Sequence, residues 1–205
     1  MPPKISLVAC AQQLVSNVVN TGDTVVDATM GKGHDTLFLS NMIGPNGNVY
    51  SFDIQTSAIN KTRTLLKNNN INNTRLINCC HSRLASALKT SNDNPAKQIS
   101  AAMFNLGYLP GGDKSIVTHP DTTLTALNAI LPLMANKACI TIVAYRGHSG
   151  GEAESDAIAK YCASLDKPLY YCHQKTIPQT NNIPPILYTI TNFDASFDKS
   201  FDPIN

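Results

Sequence analysis

The chain has 205 residues, a formal net charge of +2, 42% hydrophobic residues and only 15% charged residues. These values fit a single domain spanning residues 1–205 with a sizeable core, and they exclude a generic basic surface for nucleic acid while leaving a local patch open. The six cysteines (Cys10, Cys79, Cys80, Cys139, Cys162, Cys172) form no C-x-x-C pair, so no metal is expected and a reducing cytoplasm is; no leader pattern or membrane-length apolar run is present.

Apolar residues between Ile5 and Val19 recur at helical spacing. A turn at Asn20 to Asp23 leads into a strand, Thr24 to Ala28. A glycine loop follows, then a helix from Asp35 to Ile43. Gly44-Pro45-Asn46-Gly47 turns the chain into a second strand, Asn48 to Ile54. Ser57 is the expected cap of a helix that Asn68 to Asn70 ends, and Thr74 to Cys79 is the third strand. A short helix over Leu84 to Leu88 and a polar loop over Thr90 to Pro95 precede the fourth strand, Ile99 to Phe104. A Gly/Pro-rich loop runs from Asn105 to Lys114, and the next helix spans Thr122 to Leu131, limited by Pro132. The fifth strand, Cys139 to Ala144, ends in Tyr145 to Glu152, and a helix covers Glu152 to Ser164. Late strands are expected at Leu169 to His173 and Ile186 to Thr191, then a loose tail from Phe193. Strands alternating with helices predict an α/β fold, a mostly parallel sheet with helices on both faces.

The chemistry centres on Asp27-Ala28-Thr29-Met30-Gly31-Lys32-Gly33-His34-Asp35-Thr36. A dinucleotide fingerprint wants a third glycine where Thr36 stands, and the phosphate loop's terminal Lys-Ser/Thr is missing. What remains is D-x-x-x-G-x-G, a loop suited to S-adenosyl-L-methionine (SAM), though an ordinary strand-to-helix turn would need the same glycines for geometry alone. Asp53 ends the second strand, where the ligand crevice of an open α/β sheet lies, and can accept both ribose hydroxyls. Taken alone it could instead cap the helix that follows. His34, His81 and His173 read individually as structural histidines, His81 standing out only by its place at the third strand's end.

DATMGKGHDT (Asp27 to Thr36), FDIQ (Phe52 to Gln55), FNLGYLPGGDK (Phe104 to Lys114) and YRGHSGGEAE (Tyr145 to Glu154) occur in the order found in the YtqB/MnmM-like methyltransferases, long labelled rRNA methylases. The chain resembles that family from about Leu7 to Thr191. The resemblance implies a Rossmann-like class I SAM-dependent methyltransferase with a seven-stranded sheet. The implied reaction converts 5-aminomethyl-2-thiouridine at tRNA wobble position 34 to its methylaminomethyl form. By position, Gly31, Lys32 and Gly33 would wrap the methionine part of SAM, with Asp27 and Asp35 in the same cofactor set. Asp53 and Gln55 would hold the ribose, and Cys80 with His81 would flank the adenine. Asn105 and Tyr108 would face the methyl group, Asn105 touching cofactor and substrate alike. Lys32 departs from the smaller polar residue expected in relatives.

Such a transfer needs a neutral amine aligned with the methyl carbon. The Asn105 carbonyl can accept from that amine, Tyr108 can stack on the base, and Asp113 is a candidate proton acceptor, although it can simply pair with Lys114. Tyr145, Arg146 and His148 are the expected RNA contacts, Arg for phosphate and the rings for unpaired bases. Structural turns are the bland alternative for both loops. The implied partner is tRNA through its anticodon loop, and a homodimer stays open. Three other functions remain in view: an rRNA methyltransferase, an NAD-dependent oxidoreductase, and a non-catalytic module that retains the fold.

Overall fold

The computed structural model describes residues 6–90, 98–177 and 183–194. Seven strands form one sheet in the order β3-β2-β1-β4-β5-β7-β6, with β1 Thr24–Asp27, β2 Asn48–Phe52, β3 Thr74–Ile77, β4 Ile99–Leu106, β5 Met134–Ala144, β6 Tyr171–Thr176 and β7 Ile186–Thr191. Pairs among β1 to β5 are parallel, while β7 runs antiparallel to both β5 and β6. Parallel strands buried on both faces need apolar residues at successive positions, and Val25-Val26 in β1 and Ile140 to Ala144 in β5 supply runs of that kind, interrupted only by the buried Thr141.

Residue parity sorts the core into two layers. Val26, Ala28, Ala102, Phe104, Leu106, Ile140, Ile142, Tyr188 and Ile190 share one layer with helices α4 (Leu84–Thr90), α5 (Pro120–Ile130) and α6 (Gly151–Ser164). Val25, Val49, Ala101, Met103, Val143 and Leu187 share the other with α1 (Leu7–Ser16) and α2 (His34–Ile43). Helix α3 (Thr56–Asn68) packs on α2 and β3. Helices therefore cover both faces, as the alternating pattern predicts. Among the described residues no helix is long and apolar enough to cross a membrane, and no three His, Cys, Asp or Glu residues gather as metal ligands. All six cysteines are free.

Several boundaries shift for local reasons. Strand β4 continues to Leu106 rather than stopping at Phe104, because Asn105 and Leu106 keep pairing with Val143 and Ala144 of β5. Helix α3 starts at Thr56 with Gln55 as its N-cap, so Ser57 lies inside the first turn and does not cap it. Helix α5 begins at Pro120, which suits N1 because its missing N–H is unneeded there. Strand β5 starts at Met134, five residues early, and β6 starts at Tyr171 with Leu169 left exposed. Ile5, most of the polar loop and residues 195–205 of the tail lie outside the described residues.

The chain leaves β1 toward β2 and β3, then returns to β4 on the other side of β1. That reversal opens a crevice beyond the carboxyl ends of β1 and β4. The ladder itself records the opening: Ala28 N–H still donates to Met103 O at 2.9 Å, but Asn105 N–H donates to the Thr29 hydroxyl at 2.6 Å. A side chain takes over where the strands part.

Candidate functional site

Five strand ends, those of β1 to β5, and helix α1 line the crevice. On the β1 side, the buried Asp27 accepts from the Thr36 hydroxyl at 2.6 Å and from Thr29 N–H at 3.2 Å. Thr36 also donates toward Ser51 Oγ at 3.1 Å. Burial first, then the charge of Asp35, pushes the Asp27 carboxyl up to about 7. Asp27 is thus an internal brace beneath the loop. Thr36 stands where a dinucleotide loop would carry its third glycine, and here it tethers that brace.

Gly33 is the N-cap of α2 at φ 83°, and a Cβ there would lie 2.7 Å from the Thr62 side chain. Glycine is required twice over, by left-handed backbone and by close packing on α3. Gly31 N–H donates to Asp53 Oδ2 at 3.0 Å, and Gln55 N–H to Asp53 Oδ1 at 2.8 Å. Asp53 clamps the β1 loop to the β2 loop; burial raises its pKa against these donors. Lys32 and Ile54 are exposed, and Gln55 is half-buried.

Beyond β3, Cys80 is half-buried at the start of a short 3-10 turn, and the His81 ring is buried edge-on to Phe104 at 5.9 Å. Its Nδ1 lies 3.2 Å from the Ala28 carbonyl, so Nδ1 carries the hydrogen and Nε2 is a bare acceptor with no partner among the described residues. Burial lowers its pKa, which keeps the ring neutral.

Asn105 and Asp35 meet in the crevice. Asn105 Nδ2 donates to Asp35 Oδ2, and Gln12 Nε2 of α1 donates to Asp35 Oδ1 at 2.7 Å. The carboxylate can only accept, so it fixes the amide with its nitrogen toward Asp35. Asn105 Oδ1 is left buried without a partner among the described residues. Burial raises the Asp35 pKa, opposed by those two donors and by His34. Tyr145, at the end of β5, feels the Asp35 charge; burial chiefly, then that charge, raises its pKa.

The β4 and β5 loops are tied together from behind. Gly107 N–H donates to Thr118 Oγ1 at 2.9 Å, Thr118 donates to Glu154 Oε2 at 2.6 Å, and Thr123 donates to Glu154 Oε1 at 2.8 Å. A Cβ on Gly151 would lie 2.5 Å from Tyr145 O, so this turn closes only around glycine. Tyr108 is 38% exposed, edge-on to His148 at 6.0 Å, with Lys114 Nζ 5.7 Å from its ring centre. Arg146 pairs with Glu152 at 3.1 Å, while its Nε, like His148 Nε2, is buried and has no partner among the described residues. Asp113 is fully exposed, accepts from Ser115 N–H and Oγ, and has its pKa lowered by those bonds.

The expected residues therefore fall on three surfaces: Asp27, Gly31, Lys32, Gly33, Asp53, Gln55, Cys80 and His81 around the β1–β3 ends, Asn105 with Asp35 between, and Tyr108, Tyr145, Arg146 and His148 on the far lip. Asp113 stands on an outer turn. Gln12, Thr29, Ile54 and Thr118 were not singled out in the sequence, and Glu154 reads there only as an acid favourable near the start of α6. Gln12 alone had a legible signal, a polar residue among the apolar positions of α1.

Comparison with known proteins adds three findings. The family model described as "Putative rRNA methylase" matches residues 49–191. The tRNA (mnm(5)s(2)U34)-methyltransferase, chloroplastic, of Arabidopsis thaliana is 37% identical over 164 residues, 76% of this chain but 58% of the relative, so the chain spans less than two thirds of that protein. Among crystal structures, an rRNA-methylase of Clostridium thermocellum, so described, superposes with a TM-score of 0.84 at 36% identity, covering 94% of this chain and all of that one. A methyltransferase of Streptococcus mutans, so described and solved with SAH, gives 0.80 at 34% identity, covering 93% of this chain and 99% of that one.

Proposed function

The chain belongs to this rRNA-methylase family, and from that membership together with the site we propose that it is a SAM-dependent methyltransferase of the tRNA wobble uridine, converting 5-aminomethyl-2-thiouridine at position 34 to 5-methylaminomethyl-2-thiouridine. The observation that carries the reading is Asn105 Oδ1, a buried acceptor beside the β1 loop without a partner among the described residues. An amine N–H is the donor such an acceptor lacks. The name of the Arabidopsis relative supplies the substrate class.

The residues present suit SAM. Each Asp53 oxygen accepts one backbone N–H and keeps a second lone pair for a ribose hydroxyl. The exposed Ile54 offers apolar surface for the adenine, with Cys80 and His81 across the β3 end. Gly31, Lys32 and Gly33 leave backbone for the methionine part, and Asp35 and Asp53 add negative potential suited to a cation. When bound, SAM supplies a methyl carbon activated by a sulfonium that departs as a neutral thioether.

The protein's own task is orientation and proton control. Asn105 Oδ1 accepts one N–H of the neutral amine and so aims its lone pair, an alignment gain of the kind proximity provides. Tyr108 stacks on the base, worth roughly 1–3 kcal/mol. Arg146 and His148 face the anticodon-loop backbone. Asp113, spent on Ser115 and weakened as a base, is left out of this reading. Thr36, tethered to Asp27, leaves no third glycine for a dinucleotide, which disfavours the oxidoreductase.

Mass spectrometry of tRNA nucleosides from cells with and without the gene tests the proposal. Accumulation of the aminomethyl-thiouridine and loss of its methylated form are the expected result. An unchanged tRNA profile in cells that make the precursor overturns it. The family's own description favours a second reading, rRNA as substrate. Loss of an rRNA methyl mark in the same cells would establish that one.

A further inference from the structure

Asn105 does not choose its own orientation. Its Nδ2 is held by Asp35, and Asp35 is held in turn by Gln12, so three residues from β4, α2 and α1 form one chain of donors and acceptors. An amide is nearly symmetric in shape, and without the carboxylate the nitrogen could as readily take the place of the unpartnered oxygen. A nitrogen there would present donors to an amine that also donates. The carboxylate has a second effect: an amide that donates to an anion shifts electron density onto its carbonyl, and bonds linked in this way reinforce one another. We propose that Asp35, braced by Gln12, is a positioning residue that turns the Asn105 carbonyl toward the substrate amine and strengthens it as an acceptor.

The inference rests on the amine-methyltransferase reading and gives Asp35 a role on the substrate side, where family resemblance put it with the cofactor. Asp35 itself retains 9% exposure, and both of its oxygens are already engaged by protein donors, so its influence passes through Asn105. His34, Asp27 and Tyr145 are the other titratable groups whose charges it feels or influences, and none of them meets the Asn105 amide in its place.

The test uses the full-length protein and three readouts: kcat on tRNA bearing the aminomethyl-thiouridine, SAH affinity by calorimetry, and the nitrogen–proton NMR spectrum of side-chain amides. Wild type is expected to show a downfield Asn105 amide proton, identified by its absence in Asn105→Ala. Asp35→Asn should lose that signal and lower kcat by about tenfold or more while SAH affinity stays within about twofold. Gln12→Ala, on a half-buried helix position that can tolerate it, should shift the signal and lower kcat by about threefold. If Asp35→Asn does not fold, Gln12→Ala carries the decision: an unmoved signal with unchanged kcat overturns the proposal. A parallel loss of SAH affinity and kcat in Asp35→Asn also overturns it, marking Asp35 as a cofactor ligand. A wild type that binds SAH and shows the downfield proton but transfers no methyl to this tRNA overturns the functional reading instead.

Discussion

On the β1–β2 lip of the crevice, Asp53 accepts from two backbone N–H groups and Asp27 from a hydroxyl and a backbone N–H, so the loops there are locked before any ligand arrives. On the β4–β5 lip, Asn105 Oδ1, Arg146 Nε and His148 Nε2 are buried with no partner among the described residues. Each such atom costs about 1–3 kcal/mol until something supplies its partner. The first lip carries Asp27 and Asp53, while the second carries two exposed tyrosines, Tyr108 beside Lys114 and Tyr145, with Arg146 paired to Glu152. A half whose carboxylates are already hydrogen-bonded faces an aromatic half whose buried polar atoms lack partners among the described residues. The contrast teaches which half is preformed for a small cation and which is completed by its ligand. On the first side His81 Nε2 is a buried side-chain atom without a partner among the described residues, and its ring lies in the core against Phe104.

The sharpest way to break this division is Asn105→Ala. It should lower kcat by roughly 10²-fold while SAM affinity, measured by calorimetry, changes little. Equal losses in both would move Asn105 to the cofactor half. Next comes Asp53→Ala, which removes an acceptor from Gly31 and Gln55 as well as from the ribose. SAM affinity should fall by about tenfold or more, equivalent to about 1.4 kcal/mol. Unchanged affinity would leave Asp53 as a loop clamp only. Arg146→Ala acts on the other half and less strongly: RNA affinity should drop about threefold and the salt slope by about 1, with SAM binding untouched. Its pair with Glu152 is exposed enough that folding stability should change by only about 0–1 kcal/mol. If RNA affinity and its salt dependence both hold, the second lip does not meet phosphate.

The fold was legible because parallel strands buried on both faces write themselves as apolar runs, and Val25-Val26 and Ile140 to Ala144 are such runs. The reversed strand β7 could not be read that way: Ile186 to Thr191 looks like any buried strand, and its direction is set by β6 pairing beside it. Strand β4 was cut short because Asn105 and the glycine after Leu106 mimic a loop, although the ladder with β5 carries them. Part of the first lip is local in the chain, with Asp53 two residues from Gln55 and Asp27 two from Thr29, although its clamp from Gly31 to Asp53 spans 22 residues. The second lip depends on partners far apart in the chain, Thr118 with Glu154 and Gln12 with Asp35 with Asn105. No motif spacing encodes those meetings.

The smallest expected effect concerns the rigidity of the first lip, and pH reads it. Asp27 is buried, and its carboxyl is raised from 3.8 to about 7 by desolvation and by the charge of Asp35. A folded-state pKa above the unfolded value means that the folded protein binds more protons between pH 3.8 and 7. The contribution of Asp27 is then fully present below the unfolded value and is lost as pH rises through 7. Stability from this group should therefore increase as pH falls from 8 toward 5, the reverse of an ordinary ion-paired carboxylate. Asp27→Asn replaces the titrating group with a neutral one that can still accept from Thr36. Calorimetric melting points taken across that range should show a slope in wild type that flattens in the variant, a difference of a few degrees. If the two slopes coincide, Asp27 does not titrate there, and the locked half of the crevice is held as a charged brace at every pH in that range.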